Sequence, residues 1–136
     1  MNDSIIYYKN MINSLENDTT KKEHLLVKEA VSLGFTVENS IYYFKSFKND
    51  IRLYVFSLKK LIEIKNIQSD NVEEIEVNFF DFKKITNVNY RKDRFYFRRL
   101  NFTIGDRVFQ FVPLEDYEEF KETYSSMLKS FVNKII

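Results

Sequence analysis

Between Gly34 and Pro113 the chain is almost entirely strand-forming sequence. β-Branched and aromatic residues dominate there, and polar breaks recur about every eight to twelve residues, the rhythm of consecutive antiparallel strands. Glycine occurs only at Gly34 and Gly105 and proline only at Pro113. A sheet must therefore form the centre of the fold.

Seven strands are predicted, near residues 40–48, 51–57, 60–66, 72–78, 83–89, 94–103 and 107–112. The intervening turns fall at Asn49-Asp50, Leu58-Lys59, Gln68 to Asn71, Phe80 to Phe82, Lys92-Asp93 and Gly105-Asp106. Pro113 cannot donate to a ladder and ends the last strand.

Helical periodicity flanks this region. Ile5, Tyr8, Ile12 and Leu15 recur at helical spacing, with Asp3 or Ser4 placed to cap the first turn. Thr20 and Glu23 form a capping box ahead of a second helix over about 21–33, and Gly34 stands where a left-handed residue would end it. After Pro113, the residues Tyr117, Phe120, Tyr124, Met127, Leu128, Phe131 and Ile135 give the apolar stripe of a closing helix. Asp116, Glu118 and Glu119 suit its positive end and Lys129 and Lys134 its negative end.

The 136 residues fit one domain, with residues 1–34 as a helical extension and 40–134 as the main body. There is no cysteine, which excludes disulfides, thiolate zinc sites and a cysteine nucleophile. His24 is the only histidine, and one imidazole cannot build a multi-histidine metal site. Two separated glycines provide neither a P-loop nor a dinucleotide fingerprint. With 21 basic and 20 acidic residues, no whole-molecule field favours nucleic acid or an anionic membrane. The N-terminal residues lack the pattern of a signal peptide, and no apolar run approaches the roughly 18 residues of a membrane span. A cytoplasmic location is expected. The wealth of Lys, Asn and Ile fits translation of an AT-rich genome, such as that of a low-GC bacterium or its phage.

Three stretches carry a resemblance to a known family. IRLYVFSLKKLIEIK looks like an apolar hairpin with a basic turn, IEVNFFDFKKITNVNY like the following strand pair, and FTIGDRVFQFVPLEDYEEFKETYSSML like a closing strand and helix. Together they resemble the bacterial pleckstrin-homology-like (PH-like) domains over roughly residues 40–132. The resemblance implies an α+β fold in which an antiparallel barrel of about seven strands, built from two orthogonal sheets, is closed by the C-terminal helix. The two N-terminal helices lie outside it and are expected to cover an open sheet edge or the barrel mouth. In eukaryotic relatives, headgroup binding uses basic residues around the loop between the first two strands. Lys45, Lys48 and Arg52 match in type, but Asn49-Asp50 is a short turn that carries an acid.

The densest run of chemistry is YRKDRFYFRR, residues 90–99. Strand alternation places Arg94, Tyr96, Arg98, Leu100 and Phe102 on one side and Phe95, Phe97, Arg99 and Asn101 on the other. The apolar face switches at Arg98-Arg99, which suggests a β-bulge or a strand crossing between sheets. Two readings remain open. In one, the arginines are solvated strand positions that deter edge pairing. In the other, Tyr90, Arg91, Lys92, Arg94, Tyr96, Arg98 and Arg99 join Lys83 and Lys84 as a partner-binding surface, since arginine and tyrosine dominate interface hot spots.

Glu73, Glu74 and Glu76, and Asp116 with Glu118 and Glu119, read as solvated faces, and His24 as partly exposed on its helix. The aromatic pairs Tyr7-Tyr8, Tyr42-Tyr43 and Phe79-Phe80 should each place one ring on either side of their element, leaving exposed apolar surface. The sequence thus points to a non-enzymatic interaction module without cofactor or metal. Its partner is expected to be a protein or a second copy of the chain. The alternative is a phosphate-binding module, for a lipid headgroup or nucleic acid, that uses the basic strand patch.

Overall fold

The computed structural model describes residues 3–15, 17–19, 21–48, 50–69, 72–94 and 97–135. Its element order is α1 (Asp3–Leu15), α2 (Lys22–Ser32), β1 (Ile41–Phe47), β2 (Asp50–Phe56), β3 (Lys60–Ser69), β4 (Val72–Asp81), β5 (Ile85–Lys92), β6 (Arg98–Ile104), β7 (Arg107–Phe111), α3 (Pro113–Asp116) and α4 (Lys121–Ile135). All seven expected strands form. They make two antiparallel sheets, β1-β2-β3-β4 and β5-β6-β7. Among the described residues no ladder joins the two, so they are packed sheets and not a barrel closed by hydrogen bonds.

The aromatic residues fill the space between the sheets. Tyr43, Tyr54 and Phe56 point inward from the first sheet, Phe102, Phe109 and Phe111 meet them from the second, and Tyr124 and Phe131 enter from α4. Tyr43 stacks on Tyr124 at 4.3 Å, while Phe56 meets Phe131 edge-on at 4.9 Å and Tyr43 meets Phe111 at 5.0 Å. Edge-on and offset contacts of this kind suit the charge distribution of the rings.

The middle strands of the first sheet, β2 and β3, are covered on both faces. Helix α2 packs across β2 and β3, and its Leu26, Val27 and Ala30 are buried together with Leu53, Val55, Ile62 and Ile64 on the strand positions that alternate with the inward set. Tyr42 and Tyr43 are accordingly both buried, contrary to the expectation of one exposed ring. Tyr7 and Phe79 are exposed as expected.

Gly34 ends α2 at φ +93°. The Phe35 N–H donates to the Ala30 carbonyl and the Gly34 N–H to the Val31 carbonyl, both at 3.0 Å, which is the Schellman closure. The side chains of Asp3 and Ser4, and the whole of Thr20, lie outside the described residues, but the N-cap of α2 falls at Lys21, extended (φ −103°, ψ 145°) and without a side-chain cap, so the helix starts one residue later than the Thr20–Glu23 capping box requires. His24 is buried, not partly exposed: its Nδ1 lies 2.7 Å from the Leu15 carbonyl and ties α2 to the end of α1.

The expected closing helix is interrupted. Tyr117 is extended (φ −160°, ψ 90°), leaving the single turn of α3, a 3₁₀ turn at Glu118–Phe120, and then α4. The apolar stripe survives the break, since Phe120, Tyr124, Leu128 and Phe131 are all buried.

Candidate functional site

The hairpin of β5 and β6 carries most of the nominated residues. Tyr90 pairs with Leu100, Arg91 with Arg99, and Lys92 with Arg98. The strand predicted from Arg94 begins only at Arg98. Before it, the Asp93 N–H donates to the Phe97 carbonyl at 2.9 Å and the Phe97 N–H to Asp93 Oδ1 at 3.0 Å. The change of face at Arg98-Arg99 therefore marks a strand start and not a bulge. The register shift lies on β5 instead, between Thr86 and Asn89, where Asn87 takes φ +54°.

Four of the nominated cations come together. Arg91, Lys92, Arg98 and Arg99 line a cleft of about 290 Å³ with Phe97, Val112 and Leu114 as its apolar part and Asp93 and Glu115 as its acids. The Arg98 N–H also donates to Ser125 Oγ at 3.3 Å, anchoring the strand start to α4. The other nominated residues separate from this cleft. Tyr90 is half-buried and packs against the core, so it offers no free ring for stacking. Arg94 is exposed in the turn, and Tyr96 lies outside the described residues. Lys83 and Lys84 sit in a 3₁₀ turn, Phe82–Lys84, that Asp81 caps by accepting from the Lys83 N–H at 2.9 Å; the expected strand 83–89 starts after it.

Lys83 belongs to a second, larger hollow. A groove of about 530 Å³ runs between α4 and the β2–β3 turn, reaching Lys9 on α1 and residues 37–41.

Two buried carboxylates were not legible as such. Glu63 on β3 is fully buried between the sheets. It accepts from the Tyr54 hydroxyl at 2.8 Å, from Asn78 Nδ2 at 3.1 Å and from Arg107 at 2.9 Å, with Arg52 at 3.8 Å. Burial pushes its carboxyl up, but the donors from Arg107, Tyr54 and Asn78 outweigh this and hold it below the ordinary carboxylate value. Arg107 comes from β7, so this pair ties one sheet to the other.

Asp116 corrects the reading of a solvated acidic turn: it is buried at the end of α3. It accepts from the Tyr43 hydroxyl at 2.6 Å and the Val112 N–H at 2.7 Å, with Lys45 Nζ at 3.5 Å. Here burial raises the carboxyl above its ordinary value, and those donors offset it only in part. Glu118 and Glu119 are exposed as expected, as are Glu73 and Glu74, while Glu76 pairs with Lys65 at 3.0 Å. Glu63 and Asp116 are each engaged by several donors, an arrangement that joins elements and leaves little of either carboxylate for a substrate.

Among the described residues no three His, Cys, Asp or Glu side chains cluster as metal ligands, and no helix is long and apolar enough to cross a membrane. Comparisons with protein-family models, with curated proteins and with solved structures give no match.

Proposed function

We propose that this chain is a PH-like, non-enzymatic interaction module that takes an acidic segment of a protein partner in the arginine cleft. The architecture is supported by the order of four strands, three strands and a helix packed on the second sheet.

One observation carries the function. Arg91 stands directly across from Arg99, and Lys92 directly across from Arg98. Like charges opposite one another destabilise an antiparallel pair, so the Arg91–Arg99 pair works against the fold. Departures of this kind from local consistency are expected at functional sites. A partner carboxylate laid between Arg91 and Arg99, which share one face of the hairpin, would relieve the repulsion, and Phe97 and Leu114 line the same cleft as its apolar part. Arginine forks suit that role because they bind carboxylates in a fixed planar geometry.

The test is capture of arrayed acidic-aromatic peptides by the full chain and by the double variant Arg91→Glu/Arg99→Glu. The variant reverses the sign of the pair while keeping the like-charge repulsion, so its stability should barely change. Loss of capture by the folded variant supports the reading. Equal capture by both proteins rejects it. Capture of phosphorylated lipid or oligonucleotide in place of peptide, falling steeply with salt, would favour the phosphate-binding alternative.

A further inference from the structure

We infer that the groove between α4 and the β2–β3 turn is a separate binding site for a single-chain anionic amphiphile, a long-chain carboxylate. The site shares no residue with the arginine cleft and stands whether or not that cleft takes a partner.

The size decides between classes of occupant. At about 530 Å³ the groove falls within the ~300–1,000 Å³ typical of small-molecule sites. A folded protein partner instead needs roughly 800 Å² of surface per side for a standard interface, which one slot does not provide.

The chemistry of the groove is divided in the way an amphiphile is. Its apolar wall is built from Phe56, Phe82, Ile85, Met127, Phe131 and Ile135. Around it stand Lys9, Lys59, Lys83 and Lys134 against a single acid, Glu38. Glu38 already pairs with Lys9 at 3.4 Å, and Lys59, Lys83 and Lys134 make no ion pair with the described residues. Leu58, 87% exposed in the β2–β3 turn, also lines the groove.

An acyl chain along the wall would place an anionic head among the ammonium groups of Lys59, Lys83 and Lys134. The head is better a carboxylate than a phosphate for two reasons. No arginine fork lines the groove, and lysines act as point charges without bidentate geometry. The last turn of α4, Lys134 and Ile135, also borders the groove, so the negative end of that helix disfavours a doubly charged head.

The experiment uses the full chain and the fluorescent polyene carboxylate cis-parinaric acid, kept below its aggregation range, with oleate and oleyl alcohol as competitors. Saturable binding of one probe per chain is expected, with oleate displacing it at least about tenfold better than the uncharged alcohol. Lys83→Glu/Lys134→Glu alters two exposed residues and should weaken probe binding roughly tenfold. Met127→Trp, which fills the groove from α4, should weaken it as well.

Any of several results would overturn the assignment: no saturable binding, equal competition by oleate and its alcohol, or unchanged affinity in both folded variants. Flotation of the chain with phosphatidylglycerol vesicles while the probe stays unbound would also overturn it, showing that the lysines face a membrane surface and not a ligand. The comparison of oleate with oleyl alcohol uses only the wild-type protein, so the inference remains open to rejection even if a variant fails to fold.

Discussion

The hydroxyl of Tyr8 stands in for a missing neighbour strand at the backbone of Tyr42. It accepts from the Tyr42 N–H at 2.7 Å and donates to the Tyr42 carbonyl at 2.6 Å. Two residues along β1, the Phe44 N–H donates to the hydroxyl of Tyr124 on α4 at 2.9 Å. β1 is an edge strand, and its outward backbone groups would otherwise be buried without partners. The helical pair, expected to cover an open sheet edge or the barrel mouth, divides its work: α1 bonds the edge through Tyr8, and α2 covers a face.

Removing one oxygen should show what that closure contributes. Tyr8→Phe removes the hydroxyl that bonds both backbone groups of Tyr42 and should destabilise the protein by about 1–3 kcal/mol in urea unfolding. Tyr7→Phe is the control, because the Tyr7 hydroxyl meets Glu119 on the surface; its effect should stay within about 0.5 kcal/mol. Equal effects from both would mean that the edge closure contributes nothing particular.

The strands were legible because alternation, turn residues and β-branched content are local properties. The helix stop at Gly34 was legible for the same reason. Glu63 and Asp116 were not, because an acid in a strand or a first helical turn usually faces water, and the groups that hold these two come from elsewhere in the chain. Arg107 is 44 residues from Glu63, and Tyr43 is 73 from Asp116. A signal existed for Glu63: it interrupts the apolar run Leu61-Ile62-Glu63-Ile64, and a strand covered on both faces has no wet side on which to place it. The basic run at 90–99 was visible as composition, but only the pairing register separates the four cations of the cleft from Lys83 and turns Tyr90 toward the core.

Gly34 tests the helix stop. A Cβ added there meets nothing within 4 Å, so any cost of Gly34→Ala is conformational and not steric crowding by neighbours. At φ +93° that cost should be about 1–2 kcal/mol, read as a lower denaturant midpoint. Gly34→Asn should cost less, since asparagine visits positive φ more readily.

The two buried carboxylates should leave opposite marks on stability against pH. Glu63 has its folded pKa depressed, so its contribution is full above the unfolded value and is lost as pH falls through the folded one. Glu63→Gln should therefore flatten the acid side of the curve relative to wild type. Asp116 has its folded pKa raised, so its contribution is present below the unfolded value and is lost as pH rises through the folded one. Asp116→Asn should lag behind wild type at the acid end and gain on it through that window. Parallel curves for wild type and either variant, measured by urea unfolding at stepped pH, would contradict the corresponding assignment.

The cross-strand arginines allow stability and recognition to be separated in one protein. Arg99→Glu places a carboxylate directly across from Arg91 and replaces repulsion with attraction. The variant should be more stable by about 0.2–1 kcal/mol, with a higher melting temperature and a gain that shrinks as salt is raised. It should at the same time lose capture of acidic peptide, because the introduced carboxylate occupies the place of the partner's. A variant that is more stable and still captures peptide would mean that these arginines are the solvent side of a strand and nothing more. A variant that is less stable would mean that Arg99 makes contacts within the folded chain that outweigh its repulsion from Arg91.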